Sequence, residues 1–276
     1  MAAYAGPGDM NQLTVFFRND DVSRIEPGLV EITNLLNGMS IPISHAVEPA
    51  NLECDAKNWL LERVSGGVEI IQHGFSHARH DTGEFGGNRS AVDQARDLRA
   101  GLQIMEDSFG DAFFPAMSFP FGSYNRHSIR LLGELGYSVV SCHWRHQLSR
   151  RLFYRAGRAL GRGQLLGRHV SHHLKHYPGT KMMEISVTVA PIAEYLVEEG
   201  PCACRFKSQE DLRNIFNSCR QLSPVVGIVL HHRYRCSTSA LGQLEEFVRW
   251  IVDQPGVEFS TIGGIYRQLL ESGLRS

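Results

Sequence analysis

Short runs of apolar, β-favouring residues alternate with stretches of helical periodicity along nearly the whole chain, and this alternation narrows the possible folds more than any other feature. The runs Leu13 to Phe17, Ile41 to Val47, Val68 to Gln72, Phe113 to Phe119, Tyr137 to Cys142, Met183 to Val189, Val225 to Leu230 and Val257 to Ile262 read as strands. Helices are expected near 27–37, 55–64, 89–109, 126–135, 209–221, 240–252 and 264–271. In the 89–109 segment Val92, Ala95, Leu98, Leu102 and Met105 recur at helical spacing. Seven or eight β-α units predict a parallel α/β architecture, most simply a single-domain, distorted (β/α) barrel. An open doubly wound sheet would need a phosphate-binding glycine loop after the first strand, where this chain has Arg18-Asn19-Asp20-Asp21 instead.

With 276 residues, 42% of them hydrophobic, the chain can bury a sizeable core without disulfide support. The N-terminus lacks a basic segment followed by an apolar one, and no stretch approaches the roughly 18 apolar residues of a membrane helix. A cytoplasmic location is the expectation, with the six cysteines as reduced thiols, since their spacing forms no disulfide framework and Cys202-x-Cys204 is too short for a zinc ribbon. The net charge of −1 hides an asymmetry. Between Glu134 and Glu184 there is no acid, while Arg145, Arg150, Arg151, Arg155, Arg158, Arg162, Arg168, Lys175 and Lys181 fall there with six histidines. This basic insertion, 143–181, follows the fifth strand, and part of it should be helical, because so long a structureless loop is unusual.

Chemistry in such barrels sits at the C-terminal ends of the strands, and four ends here carry notable residues. Asp20 and Asp21 end the first strand; adjacent carboxylates there suit a metal and a substrate, and equally a cap or a turn. His73 and His77 follow the third, four residues apart, so a helical turn would put both imidazoles on one face; a polar loop explains them too. His80 reads as solvated. Pro120 and Gly122 shape a turn after the fourth strand that could aim a backbone N–H at an oxyanion. His231 and His232 end the seventh, where a histidine is a candidate acid or base.

Taken in order, these motifs resemble the polysaccharide deacetylase superfamily, the NodB-like carbohydrate esterases of family four, from about Thr14 to Ile265. The resemblance is to a divergent bacterial branch marked by Arg-x-Asp-Asp, Gln-His-Gly and Glu-Phe-Gly, here Arg18 to Asp21, Gln72 to Gly74 and Glu84 to Gly86. It implies that Asp21, His73 and His77 bind zinc or another divalent transition metal. Asp20 is then the general base toward water at the metal, and His231 the acid for the leaving amine. The Phe121 N–H serves the oxyanion, with Pro120, Trp144 and Leu230 around the pocket. The implied reaction is hydrolysis of an N-acyl group, usually N-acetyl on a sugar. The chain departs from the family in several places: Arg18-Asn19 stands where Thr-Phe is common, Phe119 and Phe121 where Pro and Tyr are frequent, the base-orienting arginine corresponds to Ser118, unless Arg18 or another cation takes that part, and the Asp-Trp motif survives at best as His143-Trp144-Arg145.

The basic insertion, with Arg145, Arg150 and Arg151 beside Arg18, suggests anion recognition: a nucleotide- or lipid-linked sugar, an acidic carrier protein or a membrane surface. Nucleic acid is not expected at a pI near 6.9. Two other readings stay open, an allantoinase-like hydrolase of another C–N bond and a catalytically weak glycan-binding homologue.

Overall fold

The computed structural model describes residues 12–80, 83–160, 173–177, 179–196, 204–234 and 238–272. The elements run β1 (Leu13–Val22), α1 (Pro27–Asn37), β2 (Ile43–Val47), α2 (Cys54–Leu61), β3 (Val68–His73), α3 (Ala91–Phe109), β4 (Phe113–Ser118), α4 (Arg126–Glu134), β5 (Val139–Ser141) and α5 (Leu148–Ala159). They continue with β6 (Lys175–His176), β7 (Met183–Glu184), β8 (Ile192–Tyr195), β9 (Cys204–Phe206), α6 (Gln209–Arg220), β10 (Val225–His231), α7 (Thr238–Val252), β11 (Val257–Phe259) and α8 (Ile262–Glu271).

The main sheet has the order β10-β1-β2-β3-β4-β5-β7-β6 and is parallel apart from the β6–β7 pair. It curls until the chain beyond β7 meets β10: Val189 bridges to Ile228, and the Val229 N–H donates to the Val189 carbonyl at 2.9 Å. This closes the distorted (β/α) barrel expected from the alternation. Gly227 permits the seam, because a Cβ there would lie 2.2 Å from Phe16 Cζ and 2.9 Å from Val187 Cα. β11 pairs with β1 over Leu13–Val15, before β2 joins it at Phe17.

Strand parity then sorts the residues. One face of each strand meets the helix layer, burying Val15, Phe17, Ile43, Ile70, Val226 and Ile228 with Leu29, Leu98, Phe216 and Phe247. The other face fills the barrel with Phe16, Ala46, Ile71, Ala116, Val139, Ile185, Val187 and Val229. α8 closes its floor: the Gly263 N–H donates to Glu69 Oε1 at 2.9 Å, and the Tyr266 hydroxyl to the Lys181 carbonyl at 3.1 Å. Following the inner parity upward from Phe16 and Ile71 leads to Arg18, Asp20 and His73 at the mouth.

The helices lie where periodicity put them, started by Pro27 and by the side-chain caps Ser90, Asn125, Ser208 and Thr261. β1 runs five residues beyond the apolar stretch, through Arg18 to Val22, because these polar side chains find partners inside the protein. The basic insertion forms α5 and β6; 161–172, with Arg162, Arg168, His169 and His172, lies outside the described residues, as does 178. Among the described residues no disulfide joins any of Cys54, Cys142, Cys204 and Cys219, and no helix is long and apolar enough to cross a membrane.

Candidate metal centre and active site

On a regular strand Asp20 and Asp21 would point to opposite faces. Here the β1–β2 register shifts between Asn19 and Val22, and Asp21 takes a left-handed conformation, φ 66°. Such a bulge re-aims one side chain, so both carboxylates reach the barrel mouth. Aspartate is among the few residues that tolerate this backbone at modest cost.

Asp21 Oδ1 lies 3.1 Å from His73 Nε2 and 3.2 Å from His77 Nε2. The two histidines meet without the helical turn suggested by their spacing; the chain after β3 is irregular, and His77 itself sits at φ 56°. Glu84, fully buried, shapes this turn by accepting from the N–H groups of Phe75 (3.1 Å) and Ser76 (2.6 Å). Gly74 reverses the chain at φ 59° and donates its N–H to the Ser118 carbonyl at 3.0 Å. Sequence reasoning noted Glu84 within Glu-Phe-Gly but gave it no role; its signal was an acid embedded in glycines and aromatics. His80 is exposed and outside the cluster.

One ligand atom from each of Asp21, His73 and His77 falls within 4.8 Å of the others. Arms of about 2.0 Å in a tetrahedron put donors about 3.3 Å apart, close to these separations, and two imidazoles with one carboxylate leave positions open. His73 Nδ1 lies 3.1 Å from Ser118 Oγ, the kind of outer contact that fixes a ligating ring. The residues therefore fit a divalent transition metal.

Asp20 sits beside this cluster in a bidentate pair with Arg18, Nε to Oδ1 and Nη2 to Oδ2, both 2.8 Å. Arg18 Nη1 also donates to the Ser141 carbonyl at 2.6 Å and to Ser141 Oγ at 2.8 Å. The expectation that Arg18 recognises a substrate anion is therefore corrected, because its guanidinium is buried and committed. The Ser118 hydroxyl also reaches Asp20, at 3.3 Å. Burial raises the Asp20 carboxyl, but Arg18, His73 and His231 outweigh it and hold the group below the ordinary range. Asp21 goes well below it for a similar reason: burial opposes, and the bonds from His73 and His77 prevail. His231, paired in register with Asp20, is pushed down by burial, against the pull of Asp21 and Asp20.

Behind the mouth, Asn19 faces the helix layer and ties three strands together. Its amide is 3.1 Å from His45 Nδ1 and 3.1 Å from His232 Nδ1, and its Oδ1 accepts the His232 N–H at 3.0 Å. His45 is pushed down to about 3, first by burial and then by His232. A neutral buried imidazole whose unfolded form takes up a proton below its ordinary value stabilises the fold above about pH 6.5. That contribution falls as pH drops through the window from about 6.5 to 3, at up to about 1.4 kcal/mol per unit. We expect His45→Gln to flatten the dependence of unfolding free energy on pH between about 6.5 and 5 by about 2 kcal/mol, read by denaturant titration at each pH. An unchanged slope would refute this.

The other expected residues are placed unevenly. Phe121 stands at φ 58° after Pro120, its ring 4.5 Å from that of His77. Trp144 is buried and stacks on His173 at 5.5 Å, while Arg151 lies over its ring at 5.6 Å. Arg145 is half-buried, and Arg150 is exposed on α5. Leu230 has the outward parity and packs in the helix layer, and with His231 it lines a pocket. Two aromatics escaped the sequence reading, Tyr195 of β8 and Tyr234, which meet edge to face at 4.6 Å. Burial, then Tyr234 and the charges of Asp21 and Asp20, push the Tyr195 hydroxyl up to about 12. No motif marks either residue, since both come from segments without periodicity.

No protein-family model and no curated protein matches the chain. Solved structures do. A protein described as a polysaccharide deacetylase from Mycobacterium smegmatis superposes with a TM-score of 0.69 at 14% identity, over 99% of this chain and 95% of that one. PuuE allantoinase follows at 0.65 and 12%, over 98% and 94%. A family 4 acetyl xylan esterase from Clostridium thermocellum, in complex with cobalt, gives 0.57 and 11%, over 94% and 92%. Together with the barrel order and its closure, these matches show that the chain has the fold of the NodB-like polysaccharide deacetylases.

Proposed function

We propose that the protein is a metal-dependent hydrolase that removes an N-acyl group from an amino sugar. The observation that carries this is the convergence of Asp21, His73 and His77 directly beside the Arg18–Asp20 pair at the barrel mouth. Asp21, His73 and His77 would hold zinc or another divalent transition metal, which supplies Lewis acidity and a lowered water pKa when bound. Asp20, kept ionised by Arg18, accepts a proton from the attacking water. His231, across the β1–β10 pair, donates one to the departing amine. The backbone N–H of Phe121, in the left-handed turn after Pro120, would serve the acyl oxygen.

The acid-free stretch between Glu134 and Glu184, which carries Arg145, Arg150 and Arg151, supports an anionic substrate as part of this reading. Asp20→Ala and His231→Ala should each lower turnover by about 100-fold, with the unfolding midpoint of each variant measured alongside. The assay is carboxylate release from N-acylated sugars, with and without a phosphate group, in added zinc and in chelator. Turnover indifferent to both substitutions would sink the mechanism. The match to an allantoinase favours one second reading, an allantoinase-like hydrolase of another C–N bond; activity on allantoin that survives chelation would establish it instead.

A further inference from the structure

α5 is turned inside out relative to the other helices. It presents Leu148 and Leu152 to solvent at 62% and 53% exposure, and Leu160, just past its end, is 75% exposed. With the exposed Ala156 these residues fall four apart, and the Leu160 N–H continues the helical bonding to the Ala156 carbonyl at 3.0 Å. They therefore form one apolar stripe about three turns long. Phe153, beside Leu152, is more than half exposed as well. Among the described residues every other helix exposes at most one large apolar side chain, such as Val92 on α3 or Leu270 on α8, which needs no explanation. What α5 turns toward the protein is a cation: Arg151 is half-buried, its guanidinium 5.6 Å from the Trp144 ring.

The charge around this stripe is all of one sign. Leu148 to Ala159 contains Arg150, Arg151, Arg155 and Arg158, and no acid occurs between Glu134 and Glu184. A second copy of the chain fits the stripe poorly, since two such helices would meet with like charges. Anionic headgroups above hydrocarbon take both features at once: the cations pair with the headgroups while the apolar side chains enter the acyl boundary, as in an interfacial amphipathic helix. We propose that α5 is a membrane-docking helix that lays Leu148, Leu152 and Leu160 into an anionic phospholipid surface. The helix follows β5, which ends at Ser141, the residue that accepts from Arg18 beside Asp20. Docking therefore sets the lipid surface at the same end of the barrel as the candidate metal centre. The proposal stands independently of the hydrolase reading.

The experiment is co-sedimentation of the full chain with sucrose-loaded vesicles, one set of phosphatidylcholine and one of equal parts phosphatidylcholine and phosphatidylglycerol. Binding to the mixed vesicles should be at least about 25-fold tighter, since each cation near an anionic surface contributes about fivefold. Added salt should weaken it toward the phosphatidylcholine value. Leu148→Ser combined with Leu152→Ser should weaken binding to the mixed vesicles about 100-fold. Because both side chains are exposed, the unfolding midpoint should stay where it is. Arg150→Glu, also at an exposed position, should weaken binding at least about fivefold with the same midpoint. No binding of the natural chain to the mixed vesicles would overturn the proposal, as would equal binding to both sets or binding that survives the double substitution. If the double substitution instead turns a dimer into a monomer in sedimentation velocity, with no vesicle binding before or after, the stripe is a contact between copies of the chain and the proposal fails. Each of these failures leaves hydrolysis of N-acylated sugars untouched.

Discussion

Arg18→Met is expected to cost about 3–5 kcal/mol of folding stability, because it strips a buried carboxylate of both charge-assisted bonds. It should also lower turnover by at least about 100-fold, since Asp20 would lose the partner that fixes its position and charge. Two companions separate these effects. Arg18→Lys keeps the charge but cannot span Asp20 and Ser141 together, so most of the rate loss should persist. Arg18→Met with Asp20→Leu removes both charges and should regain most of the stability with none of the activity. Unfolding free energies and acyl-release rates for the three proteins are the measurements. A stable, fully active Arg18→Met would show that the pair matters to neither.

Gly74→Ala should be nearly as damaging through a different route. A Cβ at this position would lie 2.1 Å from Glu84 Oε2 and 2.5 Å from Pro120 Cγ, on a backbone with φ 59°. The carboxylate that holds the Phe75 and Ser76 amides and the proline that precedes Phe121 would both have to move. We expect a loss of about 3–5 kcal/mol in stability and of about 100-fold in zinc affinity, measured by competition with a chromophoric chelator. Gly136→Ala is the control: its φ is 82°, but nothing lies within 4 Å, so only backbone strain of about 1–2 kcal/mol should appear, with metal affinity unchanged. Equal effects at the two positions would mean that the crowding at Gly74 carries no weight.

These two residues also mark where the sequence could and could not be read. Helix limits were legible because apolar spacing and capping residues act locally, and α1 begins at Pro27 for reasons contained in a few neighbours. The metal ligands were legible as a resemblance, through the order of motifs along successive strands. The partner of Asp20 was harder. An arginine two residues away on the same strand is a neighbour only because strand parity turns both inward, and its remaining bonds go to Ser141, 123 residues on. Glu84 was hidden for the same reason, as it acts on groups brought near by the loops rather than by periodicity. The spacing of His73 and His77 suggested a helix, but the buried Glu84 made another backbone route to the same meeting point.

The placement of β1 has a consequence for how the molecule comes into being. This strand supplies Arg18, Asp20 and Asp21, yet its partners on one side and at its start, β10 and β11, come from the far end of the chain; the Asn19–His232 contact spans 213 residues. A chain growing from the ribosome therefore carries Leu13 to Phe16 as an unpaired, aggregation-prone segment until β10 and β11 are made. Contacts of such long range close slowly. His231, the proposed acid, arrives with the same late strand that seals the barrel, so the closing of the ring and the completion of the candidate site are one event.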